Sequence, residues 1–274
     1  MAITGTGTSA DPYVVTTWAE LASKTSETGV YIKLGSNIDM NTEYPEGLET
    51  GFQIKCAEVD GDGKDIKNLY VKSSYLINNG GQGSIWKNTN FLNMALGNGD
   101  TATKFYHDSG SFIEHELTFY LCKFSGRING GTGNAKSYFT SGELTLNRCS
   151  LNIELSANSA IAVPSSSIST CKMQYCNVHL TGATSEEQIM VLDNSYVKGT
   201  LSNASIDTTS YSGTKSVYSV LDITIPSATG SSGTNLVLAN SEKCSSIGQY
   251  LTSVTTAQLT NAAYLSGIGF PIQT

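Results

Sequence analysis

Charged residues are scarce in this sequence, and the basic ones never form a run. Asp and Glu total 23 against 16 Lys and Arg, which gives a net charge of −7 and a pI near 5.0. A protein that binds the phosphate backbone needs clustered cations, so we expect no nucleic-acid partner. The sequence also lacks an apolar run of about 18 residues, so we expect no transmembrane segment and no membrane partner.

Residues that favour helices are also scarce. Ser, Thr, Asn and Gly together make up about 41% of the chain, while charged residues make up 14%, and this balance excludes a helical bundle. Disorder is excluded as well, because 39% of the residues are hydrophobic and 14 are Tyr. The composition therefore predicts a mostly β protein.

The first eleven residues are small and polar, with neither a basic nor an apolar segment, and this pattern predicts no signal peptide. Cysteine is too sparse for a disulfide framework in a chain of 274 residues. We therefore expect free, buried thiols. The six cysteines are Cys56, Cys122, Cys149, Cys171, Cys176 and Cys244.

Five segments of one shape recur along the chain. Each alternates apolar and polar residues, then has a small residue, and then resumes with an apolar one. The small residues are 32, 27, 27 and 19 positions apart, which indicates one solenoid coil per repeat. The segments are Ile85–Leu92, Leu117–Phe124, Leu144–Leu151, Cys171–Val178 and Met190–Val197.

The repeats predict an all-β fold, a right-handed single-stranded parallel β-helix with short capping helices at both ends. Coils stack about 4.8 Å apart, so equivalent side chains form columns. A zinc site on the marker column is disfavoured, because zinc prefers four tetrahedral ligands to a line of thiols. The predicted column is Asn90, Cys122, Cys149, Cys176 and Ser195.

A solenoid exposes its core at both ends, and the sequence predicts a helical cover for each. Thr17 and Glu20 have capping-box spacing before a short amphipathic turn, and Thr255 and Gln258 repeat that spacing before a second helix. We expect one domain over residues 1–274. It would have an N-terminal cap over about 1–40, coils over about 41–250 and a C-terminal cap over about 251–274.

Two N-terminal stretches carry a resemblance to a known family. The first runs from Gly5–Val15 through Trp18–Leu21 to Tyr31–Met40, and the second is Val59–Val71. In order and separation they resemble the opening of the pectate-lyase-like superfamily of right-handed parallel β-helices, especially the GLUG-repeat and phage virion type. The tail from Thr256 to Pro271 is similar to the closing helix of that group. The superfamily includes lyases, hydrolases, adhesins and phage virion proteins.

The sequence departs from the catalytic patterns of that superfamily. A polygalacturonase-like site needs paired aspartates on adjacent coils, whereas the only adjacent acids are Glu186 and Glu187. A pectate-lyase-like site needs clustered acids and an Arg base, but Arg127 and Arg148 fall in strand-like segments. We therefore predict no catalytic, cofactor-binding or metal-binding residues and no cofactor.

Two acidic clusters are weaker candidates for a functional site. Asp60, Asp62 and Asp65 lack the further ligands of an EF-hand-type loop, so a tight turn before a strand at Ile66–Val71 is favoured over a calcium site. The densest ionisable cluster is His107-Asp108 with Glu114-His115-Glu116, where an ordinary solvated face is favoured over acid–base chemistry.

Some ring-bearing side chains are candidates for surface roles. His179 is expected on the wall of the solenoid. Five tyrosines are expected to be exposed, either as contacts for a sugar or a protein partner or as ordinary residues of the β walls. They are Tyr13, Tyr70, Tyr138, Tyr196 and Tyr211.

The leading hypothesis is a non-enzymatic structural protein of a bacteriophage virion, such as a capsid decoration protein, head fibre or spike. It would be made in the host cytoplasm and located in the virion. Its expected partners are the phage capsid or other virion proteins and a host-surface glycan, and the resemblance also implies a homotrimer. The alternative is a polysaccharide depolymerase whose site forms between subunits. A third hypothesis is a bacterial surface adhesin.

Overall fold

A computed structural model gives the fold of the protein, and strands dominate it. Four short helices accompany the strands: α1 (Trp18–Thr25), α2 (Met40–Glu43), α3 (Thr256–Leu259) and α4 (Ala262–Gly267). The structure describes residues 3–48, 51–71, 75–78, 83–97, 110–113, 117–130, 136–140, 142–162, 170–208, 216–230 and 236–271.

The strands within these ranges are short, as expected for coils that turn every few residues. The first fourteen are β1 (Tyr13–Val15), β2 (Tyr31–Leu34), β3 (Ile38–Asp39), β4 (Phe52–Gln53), β5 (Glu58–Asp60), β6 (Asp65–Lys67), β7 (Tyr70–Val71), β8 (Tyr75–Asn78), β9 (Ile85–Lys87), β10 (Asn90–Gly97), β11 (Gly110–Ile113), β12 (Leu117–Tyr120), β13 (Lys123–Asn129) and β14 (Ser137–Thr140). The others are β15 (Glu143–Asn147), β16 (Ser150–Ala157), β17 (Ser159–Ala162), β18 (Thr170–Gln174), β19 (Asn177–Thr184), β20 (Gln188–Ile189), β21 (Val191–Asp193), β22 (Tyr196–Ser202), β23 (Ser205–Asp207), β24 (Val220–Thr229), β25 (Leu238–Asn240), β26 (Cys244–Ile247) and β27 (Thr252–Val254).

Three parallel sheets run along the molecule. Sheet 1 has the order β1-β2-β5-β9-β12-β15-β18-β21, and sheet 3 has the order β17-β14-β11-β8-β4. Sheet 2 follows β20-β23-β24-β22-β19-β16-β13-β10-β6-β3, with β7, β25, β26 and β27 attached to it. Each coil passes through the sheets in turn, as β12, β13 and β14 do before β15 begins the next coil. The predicted right-handed parallel β-helix is confirmed.

The five repeat segments each span the junction between a strand of sheet 1 and a strand of sheet 2. In the segment Leu144–Leu151, for example, β15 ends at Asn147 and β16 begins at Ser150. Inward side chains alternate with outward ones, so Leu144 and Leu146 are buried while Thr145 is half-buried. The period-2 pattern of the sequence thus predicted which residues face the core.

The core contains an aromatic cluster across two successive coils. Phe124 stacks parallel on Phe91 with ring centroids 5.1 Å apart, and it meets Phe119 and Phe139 edge-on at 5.0 and 5.3 Å. Trp86 packs edge-on against Phe91 at 5.3 Å. All five side chains are almost completely buried.

A column of small side chains lies at the bend between sheets 1 and 2. The predicted members Cys122, Cys149, Cys176 and Ser195 are confirmed by the register of the strands that follow them. The predicted place of Asn90 in the column was wrong, because Asn90 pairs with Lys123 and Thr89 occupies the column. The Thr89 hydroxyl is buried and accepts a hydrogen bond from Trp86 Nε1 at 2.7 Å, whereas Asn90 faces outward and donates to Asp65 at 2.8 Å. Ser219 continues the column beyond Ser195.

Each thiol in this column lies within hydrogen-bond distance of a carbonyl two residues earlier. The distances are 3.5 Å from Cys122 Sγ to the Tyr120 oxygen and 3.4 Å from Cys149 Sγ to the Asn147 oxygen. Burial raises the pKa of the Cys122 thiol, so that thiol stays neutral at pH 7. All six cysteines are free and buried, as the sequence predicts.

The N-terminal helix α1 forms where the sequence places it and buries Trp18 and Leu21. Only half of the predicted capping box is present. Thr17 accepts from the backbone N–H of Glu20 at 3.2 Å, but the Glu20 carboxylate accepts from the N–H of Thr16 instead. The N–H of Trp18 is bound by the Glu43 carboxylate at 2.8 Å, so α2 supplies a second cap for α1.

The C-terminal capping box is complete, because Thr255 accepts from the N–H of Gln258 at 3.2 Å and the Gln258 side chain accepts from the N–H of Thr255 at 2.8 Å. The helix that follows is shorter than expected. Asn261 caps a new helix, so α3 and α4 are separate, and neither contains a buried residue. No helix in the described part of the chain is both long and apolar enough to span a bilayer.

Candidate binding groove

The bend between sheets 1 and 2 places one residue per coil in the left-handed backbone region, directly before the buried small residue. From Asn88 to Asn194, the N–H of each donates to the following coil, as from Arg148 to the Gln174 oxygen at 2.8 Å. The backbone angle φ lies between 46° and 54° along the whole column. Its members are Asn88, Leu121, Arg148, Tyr175, Asn194, Tyr218 and Leu236.

Most of these residue types are unfavourable in that conformation. Asn tolerates the left-handed region, whereas for a residue with a large side chain it costs about 1–2 kcal/mol. The column nevertheless places Leu121 and Tyr175 there, with 44% and 52% of their surfaces exposed. Large side chains are therefore displayed on the outside of the solenoid at positions where Asn would be less strained.

A groove lies over this column in its C-terminal coils. Its volume is about 740 Å³. One wall carries Arg148, Tyr175 and Tyr218 at the bend, after β15, after β18 and before β24, together with Tyr196 at the start of β22. The opposite wall comes from the C-terminal segment and presents Leu259, Leu265, Phe270 and Pro271.

Ring contacts and one cation define the chemistry of this groove. The Tyr218 ring meets Phe270 edge-on with centroids 6.4 Å apart, which joins the two walls. The Arg148 guanidinium lies 6.0 Å from the centre of the Tyr175 ring. Within the described part of the chain, Arg148 is the only charged residue that lines the groove. Such a surface suits the binding of a ligand with apolar and anionic parts.

Tyr196 is held in place by a polar cluster beneath the groove. Its hydroxyl donates to Asp222 at 2.6 Å, and Asp222 also accepts from Asn240 at 2.6 Å and from Lys243 at 2.8 Å. Burial and the Asp222 carboxylate raise the pKa of Tyr196, so the phenol is neutral. Burial alone would raise the pKa of Asp222, but hydrogen bonds from Lys243, Tyr196 and Asn240 outweigh it and leave that pKa below its ordinary value.

Asp222→Asn is expected to lower the free energy of unfolding by about 1–2 kcal/mol at pH 7, because Lys243 and Tyr196 lose a charged acceptor. The folded-state pKa is lowered, so this contribution is complete above the unfolded pKa of about 4 and is lost as the pH falls through the folded value. Urea denaturation of both proteins should show the difference shrinking between about pH 5 and pH 2. Asp11→Asn, at an exposed carboxylate, controls for the removal of one charge. A difference that stays constant over this pH range contradicts the linkage.

The turn at Asp60–Asp65 forms as predicted, with its acids bound to protein partners. Asp62 pairs with Lys33 at 3.2 Å, and Asp65 pairs with Lys67 at 3.1 Å. The strand expected at Ile66–Val71 is interrupted at Asn68, where φ is 58°, and forms β6 and β7 instead. Within the described ranges, no group of three or more His, Cys, Asp or Glu side chains is arranged to hold a metal ion.

The acidic pair Glu186 and Glu187 is divided between two environments. Glu186 pairs with Lys136 at 2.8 Å. Glu187 is half-buried, and burial together with the charge of Asp207 raises its pKa. Neither residue lines the groove. His107-Asp108 and Glu114-His115-Glu116 lie outside the described residues.

The tyrosines and His179 lie on the solenoid wall, as expected, but the exposure of the tyrosines was misjudged. Tyr13, Tyr70, Tyr138 and Tyr196 are half-buried, and Tyr211 lies outside the described residues. His179 is half-buried beside Gly199. The exposed Tyr175 was not predicted as a site residue. Arg148, predicted in a strand, lies in the turn between β15 and β16. One signal points to both residues: each directly precedes the small residue of its repeat.

The comparisons with known proteins give one distant structural likeness. No family model and no curated protein matches the sequence. A crystal structure of a "putative immunoglobulin A1 protease" from Bacteroides ovatus is similar to this chain with a TM-score of 0.40 and 14% sequence identity. The alignment covers 96% of this chain and 89% of that one.

Proposed function

We propose that this chain is a non-catalytic structural protein of a bacteriophage virion, of the capsid decoration, head fibre or spike kind, and that it belongs to the pectate-lyase-like superfamily. The observation that carries the proposal is the groove at the bend, where Tyr175, Tyr218, Phe270 and Arg148 meet. Tyr, Phe and Arg are enriched in protein interfaces, while Lys, Glu and Asp are depleted there. The groove thus has the composition of an attachment surface.

The fold supports this proposal in a second way. Its columns of buried side chains continue from coil to coil, so the wall that carries the groove is packed along its length. A packed wall holds binding residues in fixed positions and so lowers the entropy lost on binding. Attachment to a particle, with a host-surface glycan as a further ligand, is the role that we assign to it.

Quantitative mass spectrometry of purified virions tests the proposal. The chain is expected in the particles at a copy number near that of the capsid protein if it is a decoration protein, and at a few copies per particle if it is a spike. Its absence from virions, with detection on the surface of uninfected bacteria, would favour the adhesin and contradict the virion assignment.

The depolymerase alternative has one observation in its favour, the raised pKa of Glu187 beside Asp207. The general acid of a glycoside hydrolase is a carboxyl group whose pKa its surroundings raise, and Glu187 shares that direction. Incubation with capsule and cell-wall glycans of the host is nevertheless expected to release no oligosaccharide. Release by the wild type that is lost in Glu187→Gln would replace our proposal with the enzyme.

A further inference from the structure

In the column of left-handed residues at the bend, some of the side chains displayed on the surface are not the ones that suit the backbone conformation best. Asn88 and Asn194 show that a residue suited to this backbone fits the column, whereas Tyr175 and Tyr218 occupy it at a conformational cost. Strain that persists on a displayed side chain is a reason to look for a ligand. Both tyrosines lie where the C-terminal segment turns back over the wall and forms the groove.

We propose that the groove docks an extended segment of a partner protein that carries a carboxylate next to a large apolar side chain. The inference rests on the proposed function, because it makes the groove the contact with another virion protein. The carboxylate would pair with the Arg148 guanidinium, whose fork geometry matches two oxygens. The apolar side chain would pack against the joined Tyr218 and Phe270 rings and against Leu265.

Charge explains the preference for an acidic segment. The chain as a whole carries a net charge of −7, yet the described residues that line the groove bring only the positive charge of Arg148. Two carboxylates lie behind lining residues, but Asp193 accepts from Asn194 and Gln174, and Asp222 pairs with Lys243, so the charged group that a ligand in the groove contacts is the Arg148 guanidinium. Exposed charges more than about 8–10 Å away are largely screened at physiological ionic strength. A basic segment would meet repulsion at this point.

The second wall favours a peptide over an oligosaccharide. Leu259, Leu265, Phe270 and Pro271 present mainly apolar surface. A sugar chain bound between the walls would place hydroxyl groups against that surface without partners, and burying an unpaired hydroxyl is unfavourable. A peptide with alternating polar and apolar side chains satisfies both walls.

The test is a selection of displayed random 12-residue peptides against the immobilised full chain, followed by fluorescence anisotropy with the enriched peptides in synthetic form. We expect enriched peptides to contain Asp or Glu within two positions of a large apolar residue. Tyr175→Asn should weaken their binding about 10-fold or more, because a displayed ring is lost. Its melting temperature should be no lower than that of the wild type, since Asn tolerates the left-handed backbone.

Leu121→Asn is the matched control. Leu121 lies in the same column two coils before Tyr175 and outside the groove, so its replacement should relieve similar strain and leave peptide binding unchanged. Arg148→Gln should weaken the acidic peptides about 10-fold. Replacing the peptide's acid with its amide should weaken binding to the wild type by a similar factor and have little further effect on Arg148→Gln.

Three outcomes would overturn the inference. One is the absence of enriched peptides, and another is enrichment of peptides that lack an acid or bind the Tyr175→Asn variant equally well. The third is binding on a glycan array that Tyr175→Asn abolishes, since that result would assign the groove to a sugar. In each case the detection of the chain in virions is unaffected, so failure here is distinguishable from failure of the proposed function.

Discussion

Phe124→Ala is expected to lower the free energy of unfolding by about 3–5 kcal/mol. The Phe124 ring is buried among Phe91, Phe119 and Phe139, which come from its own coil and the preceding one, and all three ring contacts lie between 5.0 and 5.3 Å. Its removal leaves a cavity that the hydrogen-bonded coils on either side cannot collapse to fill. Urea denaturation should show a lower midpoint with an unchanged slope.

Phe270→Ala provides the matched comparison for this prediction. Phe270 is half-buried at the edge of the groove and meets Tyr218 at 6.4 Å. Its removal opens no enclosed cavity, and we expect a loss of roughly 1 kcal/mol or less. Equal losses for the two variants would contradict the view that the aromatic cluster is a main stabilising element of the core.

Gly182→Ala is expected to destabilise the protein by about 3 kcal/mol or more. Gly182 lies in β19 with φ of 121°, and an added Cβ would lie 1.9 Å from the carbonyl oxygen of Leu155 in the neighbouring strand β16. That oxygen belongs to backbone, so the clash is relieved only by moving two paired strands apart. Thermal and urea denaturation should both show the loss.

Gly63→Ala tests whether the clash or the backbone conformation is responsible. Gly63 also has a positive φ, 75°, but no atom lies within 4 Å of the position of an added Cβ. Only the conformational penalty remains there, and we expect about 1 kcal/mol. If Gly63→Ala were as harmful as Gly182→Ala, close strand contact would not be the cause.

The sequence pattern was sufficient to predict the coils, and the structure shows why. In Leu144–Leu151 the alternation of apolar and polar residues reports which side chains face inward, and the small residue marks the bend. Asn90 was misplaced by one position because Thr89 beside it is also small and polar. The Trp86 indole determines that Thr89 and not Asn90 lies in the column, because it donates a hydrogen bond to the Thr89 hydroxyl. A contact of this kind is not encoded in local periodicity.

The groove was harder to predict, for two physical reasons. Arg148 and Tyr175 each precede the small residue of a repeat, which marks their position, but their ordinary strand-type neighbours do not indicate a left-handed conformation. The second wall comes from Leu265 and Phe270, which are distant in sequence and meet the bend only in the folded chain. The sequence thus predicted the solenoid and missed the surface that the solenoid builds.

The bend also bears on how such a protein acquires a new ligand. Each coil places an outward residue such as Tyr175 directly beside an inward one such as Cys176. Substitution at the outward position leaves the buried column intact, so recognition can change by single steps while the interior stays the same. A duplicated coil would add one further outward position at the spacing of the coils. The bend therefore allows the ligand specificity of the surface to change while the buried column stays the same.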